Sequence, residues 1–243
     1  MSFTVVIPAR YASTRLPGKA LADIHGKPMI AHVVDRARES SASRVIVATD
    51  DQRIADAVSA LDCEVCMTRA EHQSGSDRIA EVVEQLGLED HEIVVNVQGD
   101  EPLIPGKLID QVASALEVAG DAAMSTAAKE IDNEADIANP NIVKVVFSRA
   151  GRALYFSRAP IPYARDQRVG NAWHHIGIYA YRASFLKRYD QLLDSAIEQT
   201  ECLEQLRVLD NGDSIMVETV DYDTGVGVDT AEDLERVISL MSR

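Results

Sequence analysis

Arg10, Arg15 and Lys19 fall within ten residues of one another, in the stretch PARYASTRLPGKAL, although the chain as a whole has a formal charge of −15. Two guanidinium forks and an ammonium, with hydroxyls between them, suit an oxyanion and above all a phosphate. Gly18 adds a point where backbone can come close to a ligand. The stretch is not a Walker loop, because Ala20 follows Gly18-Lys19 and Ser13 stands where the first Gly belongs. A solvated basic loop is the competing explanation. Two acidic segments bear on the choice. In NVQGDEPLI an apolar run turns polar as it ends, and Asp100 just past it is placed to hold a hard cation bridging phosphates, although Gly-Asp-x-Pro is also ordinary turn chemistry. In GVGVDTAEDL, Asp229 and Thr230 either cap a last helix with Asp233 completing the pair, or bring a second carboxylate to the first. A basic loop with two aspartates describes a nucleoside triphosphate site without a Walker loop, the metal being magnesium.

Other segments fit a second, acidic ligand. SGSDRIA sets Ser74, Gly75 and Arg78 at a loop-to-helix junction, where N–H groups and a guanidinium could meet a nucleotide; Ser76 as an N-cap with a surface Arg is the alternative. YFSRAPIPY ends a strand at Arg158. In HHIGIYAY the neighbours His174 and His175 face opposite ways on a strand, so one of them reaching a ligand is the better expectation than joint metal ligation. In ECLEQLRVL, Leu203, Leu206 and Leu209 form an apolar helical stripe, which leaves Glu204 and Gln205 as polar contacts or as solvent-facing residues. Cys63 and Cys66 match C-x-x-C but lack a second pair, and on a strand they point apart, which favours two buried thiols.

The elements that must position these residues alternate in period. FTVVIPA reads as a strand covered on both faces, and MIAHVVDRARES puts Ile30, Val33, Val34 and Ala37 at helical spacing. RVIVATD, EVCMT and EIVVNVQGDEP are each followed by a helical run, which implies parallel pairing with crossover helices. From about Met124 strand-like runs follow one another: MSTAAKE, VKVVFS, ALYFSR and HIGIYAYR. Helical ASFLKRYDQLL and TECLEQLRVLDN, a strand SIMVETV and a helix from Thr230 complete the chain. The simplest organisation is a single domain over 1–243 with a mixed-sheet lobe from about 124 to 215. The charged loops then gather beyond the carboxyl ends of parallel strands, where α/β sheets bind ligands.

Composition narrows the function. With 24 Lys plus Arg against 39 Asp plus Glu, diffuse attraction to nucleic acid or to an anionic membrane is not expected. The start MSFTVVIPARY lacks the features of a signal peptide and no segment is long and apolar enough to span a bilayer, so a cytoplasmic protein is expected. GVGVDT fails as a dinucleotide fingerprint, since Thr230 occupies the third glycine position.

In order and over nearly the full chain, VVIPARYASTRLPGKAL, VATDD, VCMTRAEHQSGSDRIAEV, VNVQGDEPLI, LYFSRAPIPY, HIGIYAYR, LEQLR and GVDTAEDL resemble the 3-deoxy-manno-octulosonate (Kdo) cytidylyltransferase family. The resemblance implies a Rossmann-like nucleotidyltransferase fold, a three-layer sandwich with a mixed sheet. It also implies a homodimer that uses CTP, magnesium and Kdo to make CMP-Kdo for lipopolysaccharide assembly, with the 124–215 lobe serving the sugar and the dimer. On that resemblance Arg10, Ser13, Arg15 and Lys19 belong to the triphosphate loop, and Ser74, Gly75, Arg78 and Gln98 to the nucleotide side. Asp100 and Asp229 are the implied magnesium ligands and, with Arg15 and Lys19, the catalytic set. Arg158, His175, Tyr179, Glu204 and Gln205 are the implied sugar-binding set. Ala20 stands where many relatives have Pro, and the segment between Tyr163 and His174 is shorter than in many members. The rival readings are activation of 8-amino-Kdo or a sialic acid on the same scaffold, a nucleotide-sensing module without turnover and, less well supported, an NAD-dependent oxidoreductase.

Overall fold

The structure is a computed structural model that describes residues 2–12, 15–72, 74–166 and 171–242. Its centre is β1 (Phe3–Ala9), in which every residue but Pro8 is buried, as an apolar run covered on both faces requires. β1 pairs in parallel with β2 (Arg44–Thr49) on one side and with β4 (Ile93–Asn96) on the other, and β3 (Glu64–Met67) pairs in parallel with β2. The register sets Ala9 beside Thr49 and Thr49 beside Met67, so these strands end together. Arg10, Asp50, Thr68 and Gln98 therefore all leave the sheet at one edge.

Strand residues alternate between two cores. Val5, Ile7, Val47 and Val95 pack with α1 (Met29–Arg38), α2 (Gln52–Ser59) and α4 (Gly106–Val118). Val6, Ile46, Ala48 and Val94 pack on the other face with α3 (Gly75–Leu86). Cys63 joins the first core and Cys66 the second, so the C-x-x-C pair is split by the sheet. Burial pushes both thiols up, away from the reactive thiolate.

Beyond Met124 the sheet continues with β5 (Met124–Glu130), β6 (Lys144–Phe147), β7 (Ala153–Ser157), β8 (Trp173–Arg182) and β9 (Ile215–Val220). The strand order is β9-β5-β8-β4-β1-β2-β3, with β6 and β7 attached through β8. β8 lies antiparallel between β4 and β5, which makes the sheet mixed, while β9 returns parallel to β5. The hairpin of β6 and β7 is fixed from inside by Lys144. Its side chain is wholly buried and its ammonium donates to the carbonyls of Asn139, Ile142 and Arg158. The short α5 (Glu134–Ile137) bridges β5 and β6.

Two expected helices are divided. The 183–193 run forms α6 (Ala183–Leu186) and a separate 3-10 turn at Tyr189–Gln191. The 200–211 run is cut into α7 (Ala196–Glu201) and α8 (Gln205–Asp210), with Cys202 between them in the left-handed region at φ 52°. Helical periodicity there is unbroken, so the cause is not local. The Glu201 carboxylate accepts from Ser157 Oγ and the Arg158 backbone N–H, and the Arg158 guanidinium donates to the carbonyls of Glu201, Cys202 and Pro140. The end of β7 thus holds the carbonyls at the break, which a continued helix would keep for itself.

Candidate active site

A cleft of about 510 Å³ opens at the carboxyl ends of β1 and β4, inside the range of roughly 300–1,000 Å³ usual for small-molecule sites. The basic loop forms one wall. Gly18, at φ 70°, turns the chain back so that its N–H donates to the Tyr11 carbonyl at 3.1 Å, and the Arg53 guanidinium lies 3.3 Å from the Tyr11 ring centroid. This closes the loop and aims Arg15 and Lys19 at the cleft, where Arg10 also stands. Ser13 lies outside the described residues.

The two aspartates meet there. The Val228 N–H donates to the Asp100 carbonyl at 2.8 Å, which ties the segment before α9 (Ala231–Met241) to the loop after β4. Gly225 permits the approach, because a Cβ at that position would stand 2.7 Å from the Leu103 carbonyl oxygen, and Gly99 lets the same loop lie against the end of β1, where a Cβ would stand 2.8 Å from the Pro8 carbonyl oxygen. Lys19 Nζ then lies 2.5 Å from Asp100 Oδ2 and 3.4 Å from Asp229 Oδ1, and Arg15 pairs with Asp229 at 3.0 Å. Of the two roles open to the 229–233 segment, Thr230 and Asp233 take the capping box, and Asp229 is free to face Lys19.

The N-terminus of α3 forms the next wall. Its N-cap is Ser74, in a capping box with Asp77, rather than Ser76, which is buried and lines the cleft. Gly75 and Gln98 line it as well. Arg78 is only 4% exposed and is no surface residue: its guanidinium donates to Thr68 Oγ1 and lies 3.5 Å from Asp50, both just past strand ends. Three residues that sequence reasoning passed over complete this side. Asn96, buried at the end of β4 beside the cleft, has an Oδ1 that is shielded and, like Asp50 Oδ1, without a hydrogen-bond partner among the described residues. Asp50 holds Arg78. His72 lines the cleft with its Nε2 on Glu81.

Glu81 accepts also from the Arg69 N–H at 3.0 Å and from Gln85 Nε2 at 2.9 Å. Burial pushes its carboxyl up, but the His72, Arg69 and Gln85 donors outweigh burial and hold the pKa down at about 2. A carboxylate lowered by folding stabilises the fold above its unfolded pKa and loses that contribution as pH falls through the folded value. Relative to an ordinary 4.5 the drop is worth about 3 kcal/mol. Glu81→Gln is therefore expected to cost about 1–3 kcal/mol near neutral pH, and the deficit should shrink as pH falls from about 4.5 towards 2. Urea unfolding of parent and variant at pH 7 and pH 3.5 measures it; a deficit that stays the same at both would show that the charge is not its source.

The far wall carries the second ligand's candidates. Tyr179, Glu204 and Gln205 line the cleft, brought there by β8 and by the break before α8. Glu204 accepts from Ser76 Oγ at 3.2 Å, and burial, with the Asp77 and Glu198 carboxylates nearby, pushes its carboxyl up. Burial likewise raises the Tyr179 hydroxyl well above its ordinary range. His175 does not reach the cleft surface: it is buried one layer behind, 4.8 Å from the Phe156 ring and 5.6 Å from that of Tyr179. Arg158 stands outside the cleft lining and pins the break that presents Glu204 and Gln205.

The arrangement offers cations and paired carboxylates on one side, the polar N-terminus of α3 with Arg78 and Gln98 in the middle, and acid, amide and phenol groups opposite. Asp100 and Asp229 fit magnesium. They come from separate loops, offer hard oxygen donors, and already hold one cation, the Lys19 ammonium, between them. Among the described residues no third His, Cys, Asp or Glu converges on them. That matches a metal completed by substrate phosphates and water rather than by a protein cage.

The profile of the cytidylyltransferase family matches residues 4–215. The chain is 57% identical to the 3-deoxy-manno-octulosonate cytidylyltransferase of Serratia proteamaculans over 98% of both chains, and 53% identical to that of Histophilus somni over 100% of this chain and 99% of the other. A solved structure of CMP:2-keto-3-deoxy-manno-octonic acid synthetase complexed with CTP superposes with a TM-score of 0.93 at 44% identity, covering 99% of this chain and 98% of that one. With a three-layer mixed sheet and a cleft of this kind already in view, these matches establish that the chain belongs to the cytidylyltransferase family, among the 3-deoxy-manno-octulosonate cytidylyltransferases.

Proposed function

We propose that this chain transfers CMP from CTP to the anomeric hydroxyl of Kdo, releasing pyrophosphate. The observation that carries the reading is the pairing, in one cleft, of the Arg15, Lys19, Asp100 and Asp229 cluster with the Tyr179, Glu204 and Gln205 wall. The sugar oxygen attacks the α-phosphorus, the bond to the β-phosphate oxygen breaks, pyrophosphate leaves with its electron pair, and the hydroxyl proton goes to solvent. Both substrates are anions, so the chain's task is to hold them in line against their repulsion.

Arg10, Arg15 and Lys19 hold the triphosphate, with Ser13 in the same loop. Ser74, Gly75, Arg78 and Gln98 serve the nucleoside end. Tyr179, Glu204 and Gln205 meet the sugar, while His175 and Arg158 position that wall from behind. Magnesium would be held by Asp100 and Asp229; when bound, it supplies charge neutralisation on the phosphates and makes the attacking hydroxyl more acidic. The same reading places the chain in the cytoplasm, as a homodimer without nucleic-acid or membrane partners, making CMP-Kdo for lipopolysaccharide; among the described residues no helix is long and apolar enough to cross a membrane.

Pyrophosphate release with CTP and magnesium tests the reading, with Kdo, 8-amino-Kdo or sialic acid supplied separately. Release with Kdo well above the others is expected. A higher kcat/KM for another sugar would keep the nucleotide half and overturn the sugar assignment, and CTP binding without release in any mixture would overturn the transfer itself.

A further inference from the structure

Thr126, wholly buried on β5, brings its Oγ1 within hydrogen-bonding distance of three groups: the Ile178 carbonyl at 2.8 Å, the Ile176 carbonyl at 3.0 Å and His175 Nε2 at 3.0 Å. The two carbonyls converge on it because the β5–β8 ladder slips between Ile176 and Tyr179. A hydroxyl has one hydrogen and carbonyls only accept, so the Thr126 hydrogen is shared between Ile176 and Ile178. Lone pairs alone remain for His175, and that contact is a hydrogen bond only if Nε2 carries the ring's hydrogen. Burial, with His174 beside it, pushes the His175 pKa down to about 3, so the ring is neutral and Nδ1 is left as an acceptor.

The group facing Nδ1 is the Gln205 carboxamide, whose Nε2 stands 3.5 Å away. An acceptor there selects the amide nitrogen over the oxygen. Gln205 is itself 5% exposed and lines the cleft. A planar carboxamide whose nitrogen is turned to His175 presents its oxygen away from it.

We infer that Thr126 and His175 form a relay of fixed polarity that sets the Gln205 carboxamide with Oε1 offered to the cleft, so that position 205 accepts a hydrogen bond from a hydroxyl of the acid sugar. Thr126 and His175 are positioning residues, and neither touches the substrate. The inference rests on the assignment of the 204–205 wall to the sugar. Its signal is invisible in sequence because it joins residues 126, 175 and 205 through a slipped strand register.

The test combines kinetics with the state of the ring. Thr126→Val keeps the shape and removes the hydroxyl; the KM for Kdo is expected to rise roughly tenfold with the KM for CTP within about twofold, and Thr126→Ser to restore it. In parent protein labelled with 15N-histidine, long-range proton–nitrogen correlation, with the His175 signals identified by their absence in His175→Asn, is expected to show the Nε2–H tautomer from pH 6 to 8. An Nδ1–H tautomer or a charged ring overturns the relay, and this readout stands even if Thr126→Val does not fold. Folded Thr126→Val with an unchanged KM for Kdo also overturns it. Gln205→Leu separates the two levels: if it loses Kdo affinity while Thr126→Val keeps it, the relay alone fails, and if it keeps Kdo affinity the sugar assignment fails with it.

Discussion

Asp100→Asn is expected to lower kcat by about 10³-fold or more while leaving the melting temperature close to that of the parent. The substitution keeps the shape of the side chain and removes one of the two carboxylates that, among the described residues, face the Lys19 ammonium. On the proposed magnesium site, an amide in place of the Asp100 carboxylate would weaken the field that holds the ion and so the charge neutralisation it would supply at the phosphates. The loss should fall on turnover more than on CTP binding, because Arg10, Arg15 and the α3 wall are untouched. The Asp100 side chain is 30% exposed, and its backbone carbonyl, which ties down Val228, survives the substitution. Pyrophosphate release and a thermal melt, together with calorimetric titration of manganese in the presence of CTP, separate these effects. Turnover within tenfold of the parent, with unchanged manganese affinity, would take Asp100 out of the reaction.

The parts of this site that sequence made legible are those where a single loop concentrates its chemistry at a strand end. Arg10 to Lys19, the QGDEP turn and the GVDT segment each carry their residue types within a few positions, and parallel pairing predicts that strand ends gather. The strands of the main sheet were legible to within about two residues where β1, β2 and β4 are covered by a core on each face and leave short apolar runs. What escaped depends on contacts distant in sequence. The break at Cys202 arises from Arg158 and Glu201, some forty positions apart, and no period in residues 200–211 hints at it. The same break brings Glu204 and Gln205 to the cleft, so the choice between ligand contact and solvent could not be made from the helical stripe. Arg78 read equally well as a surface residue because its partners Asp50 and Thr68 lie in two other loops. Asn96 and Ser76 looked like ordinary polar residues at the ends of elements; only burial beside an open cleft marks them.

Lys19→Met is expected to act in opposite directions on turnover and on the free metal site. Its ammonium, with the side chain 16% exposed, stands 2.5 Å from Asp100 and 3.4 Å from Asp229, where it neutralises the two carboxylates that the proposed magnesium site would use. Once a metal–triphosphate complex enters, two cations cannot share the gap. On the proposed reading the ammonium would turn to the phosphates, whose negative charge would compensate the contact it gives up. Methionine keeps the length of the stem and removes the charge. Turnover should then fall by about 10²–10³-fold, since a charge-assisted donor to the leaving phosphates is lost. Manganese binding without nucleotide should instead tighten severalfold, because the competing cation is gone. Electron paramagnetic resonance titration of manganese reads the second effect without any reaction. Tighter metal binding together with slower turnover would mark Lys19 as both the occupant of the carboxylate pair at rest and a phosphate ligand at work. Weaker metal binding would mean that the ammonium holds the two aspartates together against their own repulsion, and the exchange of partners would have to be abandoned.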